Sequence, residues 1–464
     1  MNRYQTLADD IKQQILSNTW RSGEKIPSVR KASQNYAVSA ATVLQAYQLL
    51  ESEGWLVAKP QSGYFVTPRM DRVEVAEQPT IRPAYNDELY EFLQVNMKAD
   101  TAFGSALPDP SLFPFDSLTR HLASAGRKMS SQSIIQDMPP GNEDLRRLIA
   151  QRYLNQGVNV TADDIVITSG AMEGLNLSLQ VSTSPQETIA IEAPAFYGAL
   201  QAAKRLQLSV VPVAIEPLNG IDLVALEKAF QQGARASWLM PNFQNPTGTT
   251  LTDTEKQKLV ELANHYDVTL IEDDVYSELY FGDDKPKPLK FWDTEDRVLT
   301  CGSFSKSLCP GYRIGWVVNG QYSKQLQKQQ LISTLSGSSP VQQGIAHYLQ
   351  FESYDNHLRK LRKLMQQRQQ EYLTYIRETF PPQCTVNDPH GGYFLWLQLA
   401  KNIDSYELYE HLQKNGVSIG YGRLFSSQQQ YQHCIRLNVS FAFEPEIRMA
   451  LNQISKWLSK KEIT

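Results

Sequence analysis

The sequence predicts a chain in two parts: a small helical domain closed by a β-hairpin and, beyond a polar linker, a large α/β body on a mostly parallel sheet. Three observations predict it. Over the first 53 residues apolar side chains recur at helical spacing in short runs. Residues 69–98 are polar and interrupted by prolines. From residue 99 onward, apolar runs of strand length alternate with helical stretches, the pattern of a sheet covered by helices. The expected boundaries are therefore 1–70, 71–98 and 99–464.

Composition narrows the function classes. The 464 residues carry a formal net charge of −4 with both signs interspersed, so no chain-wide field points to nucleic acid or an acidic membrane. Charge is nevertheless uneven. Residues 1–70 hold eight Lys and Arg against five Asp and Glu, a balance of +3, and the remainder holds 37 against 44, a balance of −7. That asymmetry fits an attached nucleic-acid module. There is no run of about 18 uncharged apolar residues, and the opening "MNRYQTLADD" lacks the basic-then-apolar pattern of a secretory leader; a cytoplasmic protein is expected. Cys301, Cys309, Cys384 and Cys434 form no C-x-x-C pair and have no histidines at ligand spacing, so they are read as ordinary buried thiols and no metal is expected.

The small domain reads in order. Leu7, Ile11 and Ile15 mark a first helix; Gly23 breaks it, and Pro27 with Ser28 opens a second. Ser39 caps a third, over about 40–53, with Val43, Ala46 and Leu50 on one face and a stop at Gly54. The two helices joined by "NYAVS" make a helix-turn-helix, and "WLVAKPQSGYFV" folds after it as a β-hairpin wing.

In the body, several strands run into turns of small or polar residues, where open α/β sheets bind ligands. "TSGAMEGLN" places Ser169, Gly170, Ala171 and Met172 at a helix start suited to a phosphate. "PNFQNPTG" presents Asn245 in an Asn-Pro turn. "IEDDVY" presents Asp273 and Tyr276; an acid at such a strand end is either a helix cap or a functional carboxylate. "GSFSKSLCPGYRIGW" presents Ser303, Ser305, Lys306 and Arg313. A lysine in a partly dry pocket has a lowered pKa and forms a Schiff base with an aldehyde. Pyridoxal 5'-phosphate further requires a carboxylate for its ring nitrogen, a phosphate cup and donors for its phenolic oxygen. All these groups are present, and Lys306 is read as the Schiff-base lysine.

Two resemblances sharpen this reading. "EKIPSVRKASQNYAVSAATVLQAYQLLESEGWLVAKPQSGYFV" resembles the winged helix-turn-helix of GntR-type bacterial regulators. The resemblance implies that Arg30 binds a DNA phosphate, that Ser39 and Thr42 meet DNA at the recognition-helix N-terminus, and that Lys59 and Gly63 bring the wing to the backbone. Ala40 and Ala41 stand where many relatives carry Arg or a polar group. The region from about 100 to 460 resembles the fold type I aminotransferases, which implies a pyridoxal-phosphate-binding α/β body with a smaller C-terminal α+β subdomain.

That second resemblance implies roles residue by residue. Ser169, Gly170, Ala171, Met172, Ser303, Ser305 and Arg313 would hold the phosphate. Asn245 and Tyr276 would meet the phenolic oxygen, Asp273 the ring nitrogen, and Phe196, with Tyr197 as second choice, would stack on the ring. In "CIRLNVSFA", Arg436 would receive a substrate α-carboxylate, assisted by Asn245; an arginine in a strand is otherwise a structural ion-pair partner. Two positions depart from the family: Gln136 replaces a common tyrosine, and Tyr421 a frequent proline. Joined, the resemblances describe the MocR branch of GntR-type regulators, YdcR-like in "PDPSLFP", "MPPGN" and "FYGAL", and imply a homodimer. Two functions follow: a transcription regulator that senses the cofactor and an amino compound, or an α-amino acid transaminase carrying an accessory DNA-binding domain.

Overall fold

The computed structural model describes residues 3–17, 19–20, 23–52, 55–59, 62–67, 80–130, 132, 137–216, 220–428 and 430–462. The chain divides into two compact units, 1–77 and 78–464.

In the first unit, helices α1 (Arg3–Leu16), α2 (Val29–Asn35) and α3 (Ala40–Ser52) precede strands β1 (Leu56–Lys59) and β2 (Gly63–Val66). Ser28 caps α2 as expected, its hydroxyl accepting from the Lys31 amide. Leu7 and Ile11 of α1 close over Val43, Ala46, Tyr47 and Leu50 of α3, with Trp55 and Val66 completing the core. Each large apolar side chain so buried contributes about 1.5–3 kcal/mol. The wing is antiparallel, with Leu56 opposite Val66 and Lys59 opposite Gly63. Gly63 turns with φ +101°, in the left-handed region that favours glycine, and a Cβ there would come within 3.2 Å of the Lys25 side chain. Gly54, the expected helix stop, lies outside the described residues.

The stretch expected as linker is only partly one. Residues 68–79 lie outside the described set, but Ile81 pairs with Val210, and Asp87–Asn96 forms helix α4. Asn86 caps it through the Leu89 amide at 3.2 Å, Asp87 and Glu88 favour its first turn, and Leu89 and Phe92 are buried. Two buried apolar positions three apart are too short a period to stand out from the prolines before them. Tyr421 packs edge-on against Phe92 at 5.7 Å and beside Tyr409 at 4.9 Å. A proline at 421 would leave that aromatic cluster unfilled.

The body's strands, in chain order, are β3 (Thr101–Ala102), β4 (Ile165–Thr168), β5 (Thr188–Ala193), β6 (Ser209–Glu216), β7 (Gly220–Ile221), β8 (Ala236–Leu239), β9 (Thr269–Asp273), β10 (Val298–Ser303), β11 (Gly315–Val318), β12 (Thr385–Val386), β13 (Phe394–Gln398), β14 (Val417–Ser418), β15 (Gly420–Tyr421) and β16 (Cys434–Asn438). The main sheet runs β4-β11-β10-β9-β8-β5-β6-β7. Strands β10, β9, β8, β5 and β6 are parallel neighbours, while β11 runs antiparallel between β4 and β10. Strands β4, β8, β9 and β10 are buried at every residue, as expected of a sheet covered on both faces. The antiparallel sheet β12-β13-β16-β15 forms the smaller C-terminal layer, packed with Tyr354–Thr379, Ser405–Gln413 and Pro445–Glu462 as its helices. Among the described residues, no helix is long and apolar enough to cross a membrane.

Candidate cofactor site and nucleic-acid face

The carboxyl ends of β4, β8, β9 and β10 meet at one cavity, as the doubly wound arrangement dictates. It is lined by Ala171, Met172, Phe196, Asn245, Asp273, Tyr276, Ser303, Ser305, Lys306 and Arg313, together with Ala106 and Tyr197. The first ten are expected at one site from five separate stretches of sequence; Ser169 and Gly170, expected there with them, and Arg436 are not among the lining residues, and the Ser169 amide donates to Glu173. Gln136 lies outside the described residues.

Lys306 follows β10, and its Nζ donates to the Ala106 carbonyl at 2.6 Å. Burial pushes its pKa down to about 8, with Arg436 and Arg313 acting in the same direction and Asp273 opposing them. Asp273 ends β9; burial lifts its carboxyl to about 7 against the pull of Lys306. Its Oδ1 is buried with no hydrogen-bond partner among the described residues. A buried carboxylate oxygen left unpaired is costly, and Asp273 lines the same cavity as Lys306.

Opposite, Gly170 caps helix Ala171–Ser182 with φ +90°. A Cβ at Gly170 would run into the Arg313 guanidinium, so only glycine lets that cation sit at the helix N-terminus. Arg313 holds a left-handed φ of +51° and donates to the Ser305 hydroxyl at 3.3 Å. The Ser303 hydroxyl donates to Ser305 at 2.9 Å, and both serines are buried. Backbone amides, two hydroxyls and a guanidinium thus converge as an anion cup. Asn245 is fixed from behind: the Gln244 amide donates to Glu192 at 3.2 Å and to the Pro194 carbonyl at 2.8 Å, and accepts from Thr247.

Arg436, on β16, is fully buried. Its Nη1 donates to Asn245 Oδ1 at 2.7 Å and its Nη2 to the Gly104 carbonyl at 2.5 Å. The guanidinium lies 4.4 Å from the Phe394 ring centre and 5.0 Å from that of Phe425. Among the described residues no carboxylate pairs with it, and burial pulls its pKa down.

Tyr393 was missed by sequence reasoning. Its buried hydroxyl donates to the same Ala106 carbonyl at 2.9 Å, and its ring packs edge-on to Tyr276 at 5.6 Å. The only local signal is the glycine pair of "HGGYFLW" at the start of β13. Phe196 and Tyr197 both line the cavity, their rings 4.9 Å apart. Among the described residues no cluster of His, Cys, Asp or Glu is arranged to hold a metal ion.

In the first unit Arg30 and Lys59 are exposed, Lys59 lying 4.6 Å over the Phe65 ring. The Ser39 and Thr42 hydroxyls are turned on each other at 2.8 Å, and Ser39 also accepts from the Thr42 amide at 3.1 Å.

Residues 109–454 match the model of aminotransferase class I and II, and residues 3–66 that of bacterial regulatory proteins of the gntR family. The HTH-type transcriptional regulator YdcR of Escherichia coli is 43% identical over 99% of this chain and 100% of its own length. YjiR of the same organism is 34% identical over 98% of both chains, and NorG of Staphylococcus aureus 27% over 94% of this chain and all of its own. Among solved structures, the kynurenine aminotransferase of Pyrococcus horikoshii superposes with a TM-score of 0.75 at 27% identity, covering 82% of this chain and 95% of its own. LysN of Thermus thermophilus, an alpha-aminoadipate aminotransferase complexed with N-(5'-phosphopyridoxyl)-L-leucine, does so at 0.74 and 25% identity, covering 82% and 96%.

Proposed function

Because the chain belongs to the HTH-type transcriptional regulators in which a gntR-family domain precedes an aminotransferase class I and II body, we propose that it binds operator DNA and holds pyridoxal 5'-phosphate on Lys306, its DNA affinity set by cofactor and an amino compound. The observation that carries the cofactor reading is that Asp273, whose buried Oδ1 has no hydrogen-bond partner among the described residues, lines the same cavity as the low-pKa Lys306 and the anion cup of Ser303, Ser305 and Arg313. Those residues fit the group. When bound, it supplies an electron sink for the α-carbon of an amino compound.

The residues divide the work. Lys306, with its lowered pKa, is the amine that attaches the aldehyde carbon. Asp273 keeps the ring nitrogen protonated. Ser303, Ser305, Arg313 and the amides from Gly170 to Met172 would bind the phosphate, the Ser169 amide being held by Glu173; Tyr276 and Asn245 would serve the phenolic oxygen; Phe196 would stack on the ring, with Tyr197 the second choice. Arg436 offers two N–H groups to an α-carboxylate, with Asn245 orienting the fork. The chain acts as a homodimer, as its resemblance to the MocR branch implies, and so addresses two half-sites.

Loading should follow the lysine. The neutral amine is the nucleophile, and with a pKa of about 8 its fraction rises about fivefold from pH 7 to pH 8 and levels off near pH 9. Stopped-flow loading rates on apoprotein should trace that curve. A rate still climbing tenfold per pH unit at pH 9.5 means that an ordinary lysine attaches the cofactor.

Arg30 and Lys59 each neutralise one phosphate per subunit. Arg30→Ala and Lys59→Ala should lower affinity about equally for preferred and random duplexes and reduce the log–log salt slope by about one per contact. Thr42→Ala should instead reduce discrimination. Unchanged slopes place the DNA face elsewhere. The complete donor set with Arg436 also supports a second reading, a transaminase; steady conversion of an amino acid and a keto acid by protein that prefers no DNA fragment would establish it.

A further inference from the structure

The surface of α3 turned away from its core has a composition that the fold does not require. Val43, Ala46, Tyr47 and Leu50 are buried. On the opposite side Ala41, Leu44, Gln45 and Gln48, at spacing i, i+3, i+4 and i+7, form one exposed stripe. Leu44 is 40% exposed although helix and core would tolerate a polar side chain there. The helix "AATVLQAYQLLES" contains no Lys or Arg. It therefore lacks the bidentate cation that reads guanine O6 and N7 in the major groove. Ser39 and Thr42, the remaining polar groups at its entry, are turned on each other and on the backbone amide of the cap. The nearby cations, Arg30 and Lys59, sit on α2 and the wing, where they meet phosphates and carry no base information.

We propose that this stripe reads A·T pairs: Gln45 pairs bidentately with adenine N6 and N7, while Leu44 and Ala41 pack on neighbouring thymine methyl groups. This rests on the DNA-binding reading above and adds its base specificity. A carboxamide presents one donor and one acceptor side by side, the complement of the adenine edge. An exposed aliphatic pair flanking it matches the thymine 5-methyl, which cytosine lacks. This helix carries no bidentate reader of guanine, so G·C pairs enter the half-site through DNA shape or a single contact from Thr42.

The test is a selection from random duplexes by the full-length protein with pyridoxal 5'-phosphate, followed by affinity titration on the enriched duplex. Conserved A·T pairs are expected in each half-site. Gln45→Ala should lose about tenfold on that duplex and nothing on random DNA. Replacing the half-site thymines by uracil should weaken the wild type about fivefold and Leu44→Ala by clearly less, because the Leu44 methyl contact is already gone and only that of Ala41 remains. An enriched half-site built on G·C pairs, or a Gln45→Ala loss shared equally by random DNA, or a uracil effect as large in Leu44→Ala as in the wild type, overturns the proposal while salt-sensitive binding preserves the DNA-binding reading. A protein that binds no duplex at low salt overturns both.

Discussion

Lys306→Ala is expected to abolish covalent cofactor attachment completely. Wild-type protein incubated with pyridoxal 5'-phosphate and reduced with borohydride should gain the mass of one cofactor per chain on the peptide that contains Lys306; the variant should gain none there. The fold should survive. Among the described residues Lys306 makes one hydrogen bond, to the Ala106 carbonyl, which keeps a donor in Tyr393. Removing a buried cation also relieves the desolvation that lowers its pKa. Far-UV circular dichroism and the unfolding midpoint separate loss of chemistry from loss of structure. Cofactor trapped on another lysine in the wild type would refute the assignment. Asp273→Ala should retain the attachment site but bind the cofactor more weakly, because the ring nitrogen loses its counter-charge.

Arg436→Ala should leave cofactor attachment intact and abolish the spectral response to α-amino acids. The guanidinium is fully buried, unpaired with any carboxylate among the described residues, and framed by Phe394 and Phe425. An incoming α-carboxylate meets a charge already desolvated, and breaking such a buried pair costs about 2–5 kcal/mol. Affinity for the amino compound should therefore fall by about a hundredfold or more. Arg436→Lys keeps the charge but loses the planar fork, so only partial rescue is expected. Amines without a carboxylate should be insensitive to either change, a selectivity that mere loss of packing would not produce. A variant that still answers α-amino acids at wild-type concentration would make Arg436 structural.

Much of this site was legible because the chemistry sits where strands end. Strands β4, β8, β9 and β10 are apolar runs, and each delivers its polar residues at the carboxyl end, so Gly170, Asn245, Asp273 and Lys306 could be read locally. Strand order could not. Local pattern does not say that β11 inserts antiparallel between β4 and β10, although that insertion brings Gly315 against the Gly170 backbone. The Ala106 carbonyl stands 200 positions from Lys306 in the chain, and Tyr393 further still from Ala106, so their meeting is a property of the fold alone. Helix α4 was hidden because its buried face is only Leu89, Phe92 and Asn96. In the first unit the cap at Ser39 was legible, but not that its hydroxyl would be turned on Thr42.

We propose that what occupies Lys306 sets how the protein holds DNA. The most direct test is a mobility-shift titration on the protein's own upstream region against random DNA at fixed salt. Wild type and Lys306→Ala are each measured without cofactor, with pyridoxal 5'-phosphate, and with cofactor plus an α-amino acid. The account predicts that the wild type prefers its upstream region, that cofactor and amino compound each change that preference, and that Lys306→Ala binds DNA but answers neither. Equal binding of both DNAs under every condition, accompanied by steady turnover of amino acid and keto acid, would contradict it.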